Sequence, residues 1–200
     1  MKKHIIGVLG FIGSGKGTVG NYLSNQYNFK PVSFAGSLKD TTSVIFGWPR
    51  QLLEGDTQES RIWREKTDDY WSKKMDRVVT PRWVLQHLGT DVLRNYFFND
   101  IWIASLERKI MQYDGNTVIT DVRFANEIKL LREIKADLWW VKRGNLPLWY
   151  DCAANCPDAM PTEWPAVHSS EYDWVSRGPY TVLDNNGTLE QLHQQVDQLI

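Results

Sequence analysis

Residues 5–18 read IIGVLGFIGSGKGT, and this stretch decides the fold class of the chain. The apolar run over residues 5–9 is typical of a buried strand in a parallel sheet. The glycines that follow it, together with Lys16, match the G-x4-G-K frame of a phosphate-binding P-loop, and residues 16–26 have the apolar spacing of a helix. Strand, glycine-rich turn and helix thus occur in the order that a P-loop requires.

The P-loop pattern predicts an anion site at the start of the first helix. Backbone N–H groups in a glycine-rich turn point at one anion, and the helix N-terminus adds a partial positive charge. Lys16 is expected to reach the outer phosphates of a nucleotide. The candidate nucleotide-binding residues are Gly13, Ser14, Gly15, Lys16, Gly17 and Thr18. The alternative interpretation is a glycine turn beside a surface lysine.

Further segments alternate between strand and helix patterns. Strands are predicted at residues 31–35, 117–120, 137–141 and 181–183, and helices at residues 37–46, 80–98, 101–111, 124–134 and 188–199. This alternation predicts an α/β fold with a five-stranded parallel sheet flanked by helices, whose ligands lie at the carboxyl ends of the strands. Residues 50–77 are charge-dense and predict a solvated helical cover. Residues 144–170 have four prolines and no apolar period, which predicts a long irregular insertion.

The helix over residues 80–98 is predicted to have a polar face. Its core face is expected at Val84, Leu88 and Val92. Arg82, Gln86 and Thr90 recur at four-residue spacing on the opposite side. This spacing would aim the three side chains together at water or at a ligand.

The composition excludes several classes of protein. The chain has 200 residues, 42% of them hydrophobic and 24% charged, which suits one globular domain. Its net charge of −1 argues against a protein that coats nucleic acid, and no apolar run reaches the roughly 18 residues that span a bilayer. The two cysteines, Cys152 and Cys156, are too few for a disulfide scaffold and match no four-ligand zinc pattern, so we expect the cytoplasm.

The segment after the third predicted strand favours phosphoryl transfer over hydrolysis. Asp121 is followed by Val122, so no water-activating Glu sits beside it, and the N-K-x-D motif of GTPases does not occur. Asp121 and Arg123 lie at a strand end that is expected to face the phosphate loop. They resemble the Asp and Arg of the D-G-F-P-R segment of adenylate kinase. The alternative is that Asp121 only caps the next helix.

The loop departs from the common pattern at one position. Gly17 stands where most P-loops have a Ser or Thr that binds magnesium, and Thr18 follows it. This G-K-G-T form resembles adenylate kinase and related nucleoside monophosphate kinases, in which the metal is held largely through water. We therefore expect Thr18 and Asp121 to contact Mg²⁺ through water.

The motifs along the whole chain resemble those of the bacteriophage deoxynucleoside monophosphate kinases. They run in order from residue 10 to residue 190. Besides the P-loop they are FAGSLKD at 34–40, LEGD at 53–56, Arg82 through LGTD at 88–91, DVR at 121–123 with Glu127, VKR at 141–143, His168 with Glu171, and NNGTLE at 185–190.

The resemblance implies a P-loop kinase fold made of three parts. These are a core (residues 1–35, 81–143 and 171–200), a monophosphate-binding insertion (about 36–80) and a lid (about 144–170). The resemblance also implies that ATP and a deoxynucleoside monophosphate are the substrates, that Mg²⁺ is the metal, and that ADP and a deoxynucleoside diphosphate are the products.

The expected roles of single residues follow from the resemblance and from the charge of the reactants. The expected catalytic residues are Lys16, Asp121, Arg123 and Arg143. The expected acceptor-binding residues are Lys39 and Arg82 on the phosphate group, Arg61 beside them, Gln86, Thr90 and Asp91 near sugar or base, and Glu171. Asn185 and Asn186 are expected to border the adenine of ATP. Structural alternatives remain: Arg61 as a solvated charge, Arg143 as a surface residue at the lid hinge, His168 and Glu171 in capping or lid packing rather than substrate contact, and the two asparagines as turn formers.

Two other functions remain open from the sequence. Another small-metabolite P-loop kinase, such as a dephospho-coenzyme A kinase, would share the N-terminal motif and the sheet. An ATP-bound switch or nucleic-acid remodelling subunit would share the P-loop, but the near-neutral charge and the lone Asp121 count against it. We expect no nucleic-acid or membrane partner, and a homodimer stays open.

Overall fold

The sheet consists of five parallel strands. In the computed structural model, which describes residues 3–200, they are β1 (Ile5–Leu9), β2 (Lys30–Val32), β3 (Thr117–Ile119), β4 (Asp137–Lys142) and β5 (Thr181–Asp184). Their order is β2-β3-β1-β4-β5, and every neighbouring pair is parallel. The predicted five-stranded parallel sheet is therefore confirmed.

Most helices lie where the apolar spacing predicts them. In chain order they are α1 (Lys16–Tyr27), α2 (Gly36–Phe46), α3 (Gln58–Glu65), α4 (Asp69–Met75), α5 (Pro81–Gln86), α6 (Ile101–Met111), α7 (Ala125–Glu133), α8 (Tyr150–Asn155), α9 (Met160–Glu163), α10 (Ser169–Tyr172) and α11 (Leu189–Asp197). A π-helix spans His87–Phe97, and 3-10 turns span Arg50–Leu53, Pro157–Ala159 and Val175–Arg177.

The chain divides into two compact units, and the first of them contains the sheet. This first unit comprises the residues up to Ser33 together with Glu107–Ile200. All five residues of β1 are buried, as a strand covered by helices on both faces requires. The core around it consists of Ile6, Val8, Val19, Leu23, Phe29, Val118, Trp139, Val141, Leu183, Leu192 and Val196.

The second unit, Phe34–Leu106, has an aromatic core of its own. Its buried members are Trp48, Leu53, Val79 and Val84, and Phe46, Trp63, Trp71, Trp83, Leu85 and Leu88 pack against them. The indole of Trp48 donates to Asp68 Oδ2 at 2.7 Å, and the indole of Trp71 donates to the carbonyl of Phe46 at 3.0 Å. Residues 50–77 are therefore helical as predicted, but their tryptophans build a core and the segment is more than a solvated cover.

The helix predicted over residues 80–98 is not a single α-helix. It changes into a π-helix at His87, and of its predicted core face only Val84 is fully buried, while Leu88 and Val92 are half-buried. The change from α-helix to π-helix occurs close to Gly89, whose surroundings are tightly packed. A side chain there would collide with Leu38, and the Gly89 carbonyl accepts a hydrogen bond from the Trp102 indole at 2.9 Å. This contact from outside the helix is compatible with a wider turn.

The prediction that residues 144–170 are irregular is wrong. The segment contains α8, α9 and the start of α10, and it fully buries Ala153 and Met160. Each of these helices has only one or two turns, so an apolar period cannot become visible in the sequence.

Candidate active site

The carboxyl ends of β3, β1, β4 and β5 bring the predicted donor-side residues to one edge of the sheet. The glycine-rich loop follows β1, and Asp121 and Arg123 follow β3 on one side of it. Arg143 follows β4 on the other side, and Asn185 follows β5 beyond that. This is the edge at which open parallel sheets bind their ligands.

The loop over residues 10–15 takes a shape that requires glycine. Gly10, Gly13 and Gly15 have φ angles of 143°, 76° and 105°, which L side chains rarely adopt. Gly15 ends the loop as the N-cap of α1 and lies against the amide of Asn185. The predicted strand, turn and helix are thereby present with the backbone that an anion site needs.

Lys16 is folded back onto the loop. Its Nζ donates to the carbonyls of Gly10 and Phe11 at 2.7 and 2.8 Å. The pKa of Lys16 is lowered to about 8, mainly by burial and also by the charge of Arg123, while Glu171 acts in the opposite direction. The protein thus keeps a partly desolvated cation at the head of the loop, where an anion would restore its ordinary pKa.

The interior of the loop offers a place for a phosphate group. The hydroxyl of Ser14 is buried and has no hydrogen-bond partner among residues 3–200. A buried polar group without a partner costs free energy, which a phosphate oxygen would recover. Side chains added at Gly13 and Gly17 would meet nothing within 4 Å, so the loop is open there.

Arg123 is held at the edge of the first unit by two carboxylates. Glu127, which is 3% exposed, accepts hydrogen bonds from the backbone N–H of Arg123 at 2.7 Å and of Phe124 at 3.0 Å. The Arg123 guanidinium lies 3.5 Å from the carboxylate of Glu171, a residue of α10. The structure therefore brings Lys16, Arg123 and Glu171 together, and it adds Glu127, whose role could have been recognised from its position at the start of α7.

The two asparagines after β5 make structural contacts. Asn185 Nδ2 donates to the Ser14 carbonyl at 2.7 Å, and the Asn185 N–H donates to the Lys142 carbonyl at 2.8 Å. Asn186 Oδ1 accepts from the backbone N–H of Gly144 at 2.7 Å. Asn185 thus fixes the phosphate loop to the sheet, a contact that nothing in the local sequence indicates.

Aromatic rings cover the other side of the loop. Phe11 lies edge-on to Trp149, with ring centroids 5.4 Å apart, and 5.0 Å from the ring of Trp174. Both tryptophans belong to the segment that follows β4. Nearby, His168 accepts a hydrogen bond from the Ser170 N–H at 3.2 Å and caps α10, in line with the capping alternative for that residue.

In the second unit, the basic side chains expected at the acceptor phosphate, Lys39 and Arg82, are paired with carboxylates. Lys39 Nζ donates to Glu54 at 2.5 Å, and Arg50 binds the other oxygen of the same carboxylate. Burial raises the pKa of Glu54, but Lys39 and Arg50 outweigh it, so that the pKa lies below its ordinary value. Arg82 forms an ion pair with Glu65 in the same unit.

The remaining predicted acceptor residues are exposed. Gln86, Thr90 and Asp91 lie at the surface, and Asp91 binds the His87 ring at 2.8 Å. Arg61 donates to the carbonyls of Gly55 and Asp56 at 3.0 and 3.2 Å. The polar face predicted around Arg82 is thus accessible to a ligand.

The residues expected near magnesium suit that ion. Thr18 is exposed and Asp121 is half-buried directly after β3. Mg²⁺ takes oxygen ligands, keeps several waters and uses few carboxylates beside substrate phosphates. Within residues 3–200, no three or more His, Cys, Asp or Glu side chains are grouped to hold a metal by themselves. The donor set fits an ion that arrives with a nucleotide.

The described chain also lacks a membrane-crossing element: across residues 3–200, no helix combines the length and the apolar character needed to span a bilayer.

Two solved structures resemble the fold. The protein TT1252 from Thermus thermophilus has a TM-score of 0.51 at 15% identity and covers 100% of this chain and 97% of its own. Dephospho-CoA kinase from Campylobacter jejuni has a TM-score of 0.50 at 13% identity and covers 100% of this chain and 96% of its own. At these identities the likeness concerns the fold alone, and the predicted P-loop kinase fold is confirmed.

Sequence relatives carry the resemblance further. The family model for deoxynucleotide monophosphate kinase matches residues 51–152. A protein of Acanthamoeba polyphaga mimivirus that carries this family's name is 31% identical over 206 residues, which cover 96% of this chain and 93% of the viral protein. The deoxynucleoside-5'-monophosphate kinase of Escherichia phage T5 is 30% identical over 179 residues, 64% of this chain and 72% of its own. The chain therefore belongs to the deoxynucleotide monophosphate kinase family.

Proposed function

We propose that the protein transfers the γ-phosphoryl group of ATP to a deoxynucleoside monophosphate, giving ADP and a deoxynucleoside diphosphate. The proposal depends mainly on the loop of residues 10–16, where left-handed glycines and the half-buried Lys16 surround the unpartnered hydroxyl of Ser14. Membership in the family supports the class of acceptor, because the phage T5 relative is by name a deoxynucleoside-5'-monophosphate kinase.

On the donor side, the phosphates of ATP would replace the loop's own carbonyls as partners of Lys16. Gly13, Ser14, Gly15, Gly17 and Thr18 would supply the surrounding N–H and hydroxyl donors. Mg²⁺, when bound, neutralises charge on the β- and γ-phosphates, with Thr18 and Asp121 as its expected protein contacts through water. We propose that Asn185 and Asn186 border the adenine of ATP. Asn185 would also fix the loop through its hydrogen bond to the Ser14 carbonyl.

The phosphate group of the acceptor would bind lysine and arginine side chains that now form ion pairs with carboxylates. In the proposed complex, the phosphate group of the acceptor takes the place of Glu54 beside Lys39 and of Glu65 beside Arg82. The Arg82–Glu65 pair is exposed on both sides and contributes only about 0–1 kcal/mol, so its exchange costs little. The Lys39 side chain is more buried, and a phosphate there would have to replace the charge that Glu54 now supplies. Arg61 would join the same phosphate, while Gln86, Thr90, Asp91 and Glu171 would contact the rest of the acceptor.

The reaction needs charge stabilisation rather than a general base. A phosphate monoester carries a charge of about −1.5 to −2 near neutral pH, so its oxygen is already a nucleophile. That oxygen forms a bond to the γ-phosphorus while the bond to the β–γ bridging oxygen breaks and ADP leaves. Lys16, Arg123 and Arg143 would stabilise the charge that spreads over the transferring group. For this, Arg123 has to leave Glu171, and the 3.5 Å distance between them makes that pair weak.

We also propose that the chain consists of a core, a monophosphate-binding insertion at about 36–80 and a lid at about 144–170. Closure of the last two over the substrates would keep water from hydrolysing ATP. The free thiols of Cys152 and Cys156 suit a reducing compartment, so we propose the cytoplasm.

The test measures ADP release from MgATP with each common deoxynucleoside and ribonucleoside monophosphate in turn. We expect release that depends on a deoxynucleoside monophosphate, with the diphosphate as the second product. Dephospho-coenzyme A and DNA serve as rival stimulants, and stimulation by either of them alone would reject the proposal. Lys16→Ala should lower kcat by several orders of magnitude, whereas Arg82→Ala should mainly raise KM for the acceptor.

A further inference from the structure

A further arginine in the second unit lies beside the residues assigned to the acceptor phosphate. Arg64, on α3, has a half-buried side chain, and its guanidinium occupies the space where a side chain of residue 55 would stand. Only glycine fits there, because Gly55 also has a φ of 73°. The Arg64 guanidinium and the backbone of the loop at Gly55 are therefore packed against each other.

Arg64 lies near two other arginines and two carboxylates. Burial and the nearby charge of Arg82 hold the pKa of Arg64 below its ordinary value; Arg61 acts in the same direction, and Glu65 and Glu54 oppose it. Glu65 already pairs with Arg82, and Glu54 pairs with Lys39 and Arg50. The local carboxylates are thus shared among several cations.

The Arg64 side chain is not committed to a structural hydrogen bond at Nε. This atom is buried, and no residue among those described accepts its hydrogen. Turning the guanidinium toward a new anion would therefore sacrifice no hydrogen bond at Nε and would satisfy a donor that now lacks a partner. A planar guanidinium suits this purpose because it can bind two phosphate oxygens at once.

We propose that Arg64 binds the phosphate group of the acceptor together with Arg82, and that Gly55 is required to leave room for it. This inference rests on the proposed function. It adds Arg64 to the residues Lys39, Arg61 and Arg82 that the sequence analysis expects at the acceptor phosphate.

The test compares Arg64→Met, Arg64→Lys and the control Arg77→Met. Arg77 is another arginine of the second unit and lies over the ring of Trp83, 4.0 Å from its centroid. We expect Arg64→Met to raise KM and Kd for the deoxynucleoside monophosphate by about 10- to 100-fold, the loss typical of a charged hydrogen-bonding group. Arg64→Lys should give a smaller increase in KM and Kd, because lysine keeps the charge and loses only the bidentate hydrogen bonding. Arg77→Met should change neither constant.

A ligand without the phosphate group separates contact from structure. The matching deoxynucleoside is used as a competitive inhibitor, and its Ki should stay unchanged in Arg64→Met, as should KM for ATP. An equal loss of affinity for deoxynucleoside and monophosphate would show that Arg64 only supports the fold, and would overturn the inference. If Arg64→Met does not fold, as judged by its melting temperature, Arg64→Lys decides, and an unchanged acceptor KM in that variant overturns the inference.

The outcome for the wild-type protein distinguishes the two proposals. A wild-type protein that releases no ADP with any deoxynucleoside monophosphate would overturn the proposed function and the assignment of Arg64 with it. An active wild-type protein whose Arg64→Met variant behaves like Arg77→Met would overturn the assignment of Arg64 alone.

Discussion

Lys16 is the residue whose charge state should govern ATP binding. Burial lowers its pKa to about 8, so a growing fraction of the free enzyme loses this charge as the pH rises above 8. A bound triphosphate favours the charged form and raises the pKa again. We therefore expect kcat/KM for ATP, which reports the free enzyme, to fall about tenfold per pH unit above about 8. The value of kcat should stay level over the same range.

Lys16→Arg provides the matched control for this pH profile. Arginine stays protonated at every accessible pH, so whatever activity the variant retains should lose the decline above pH 8. Both profiles are checked by measuring kcat/KM for ATP at saturating acceptor over a range of about three pH units, roughly from pH 6.5 to about 9.5. A decline that persists unchanged in Lys16→Arg would assign the titration to another group.

At the scale of the element, the start of α7 connects fold stability with the proposed catalytic role of Arg123. The buried Glu127 carboxylate binds the N–H groups of both Arg123 and Phe124. Glu127→Gln keeps the shape but removes the charge from these hydrogen bonds, which should destabilise the fold by about 1–3 kcal/mol. Because the same contact places Arg123, kcat should fall while KM for ATP changes little. Chemical denaturation and steady-state kinetics measure the two effects.

The control for α7 is the capping residue of another helix, α11. Thr188 caps α11 by accepting from the Gln191 N–H at 3.3 Å, so Thr188→Ala should reduce stability by about 0.5–2 kcal/mol with kcat preserved. If Glu127→Gln lost stability to the same degree and kept its kcat, Glu127 would be a helix cap without influence on Arg123.

Elements that are specified by neighbouring residues could be predicted from the sequence, and those specified by distant contacts could not. The strand, loop and helix of residues 5–27 follow from local apolar spacing and glycines. Within the π-helix, Gly89 packs against Leu38 and accepts a hydrogen bond from Trp102, both distant in sequence. The contact that fixes the loop joins Asn185 to Ser14, which are 171 positions apart. Likewise, burial of Ala153 in a two-turn helix leaves no periodic pattern.

For the whole molecule, the two compact units divide the expected phosphate-binding lysines and arginines of donor and acceptor between them. The first unit contains the loop with Lys16, and the second contains Lys39, Arg64 and Arg82. Each unit has its own apolar core. A substrate that binds one set of residues should therefore stabilise the protein even when the other substrate is absent.

This division predicts how each substrate shifts thermal unfolding. A ligand at 100 times its Kd stabilises the folded state by about 2.7 kcal/mol, which corresponds to roughly 5–10 °C for a chain of this length. MgATP alone and a deoxynucleoside monophosphate alone should each raise the Tm of the wild-type protein. Lys16→Ala should reduce only the shift caused by MgATP, and Arg82→Ala only the shift caused by the monophosphate, with both unliganded variants melting near the wild-type temperature. If either variant lost both shifts while remaining folded, the assignment of Lys16 to the donor phosphates and of Arg82 to the acceptor phosphate would be wrong.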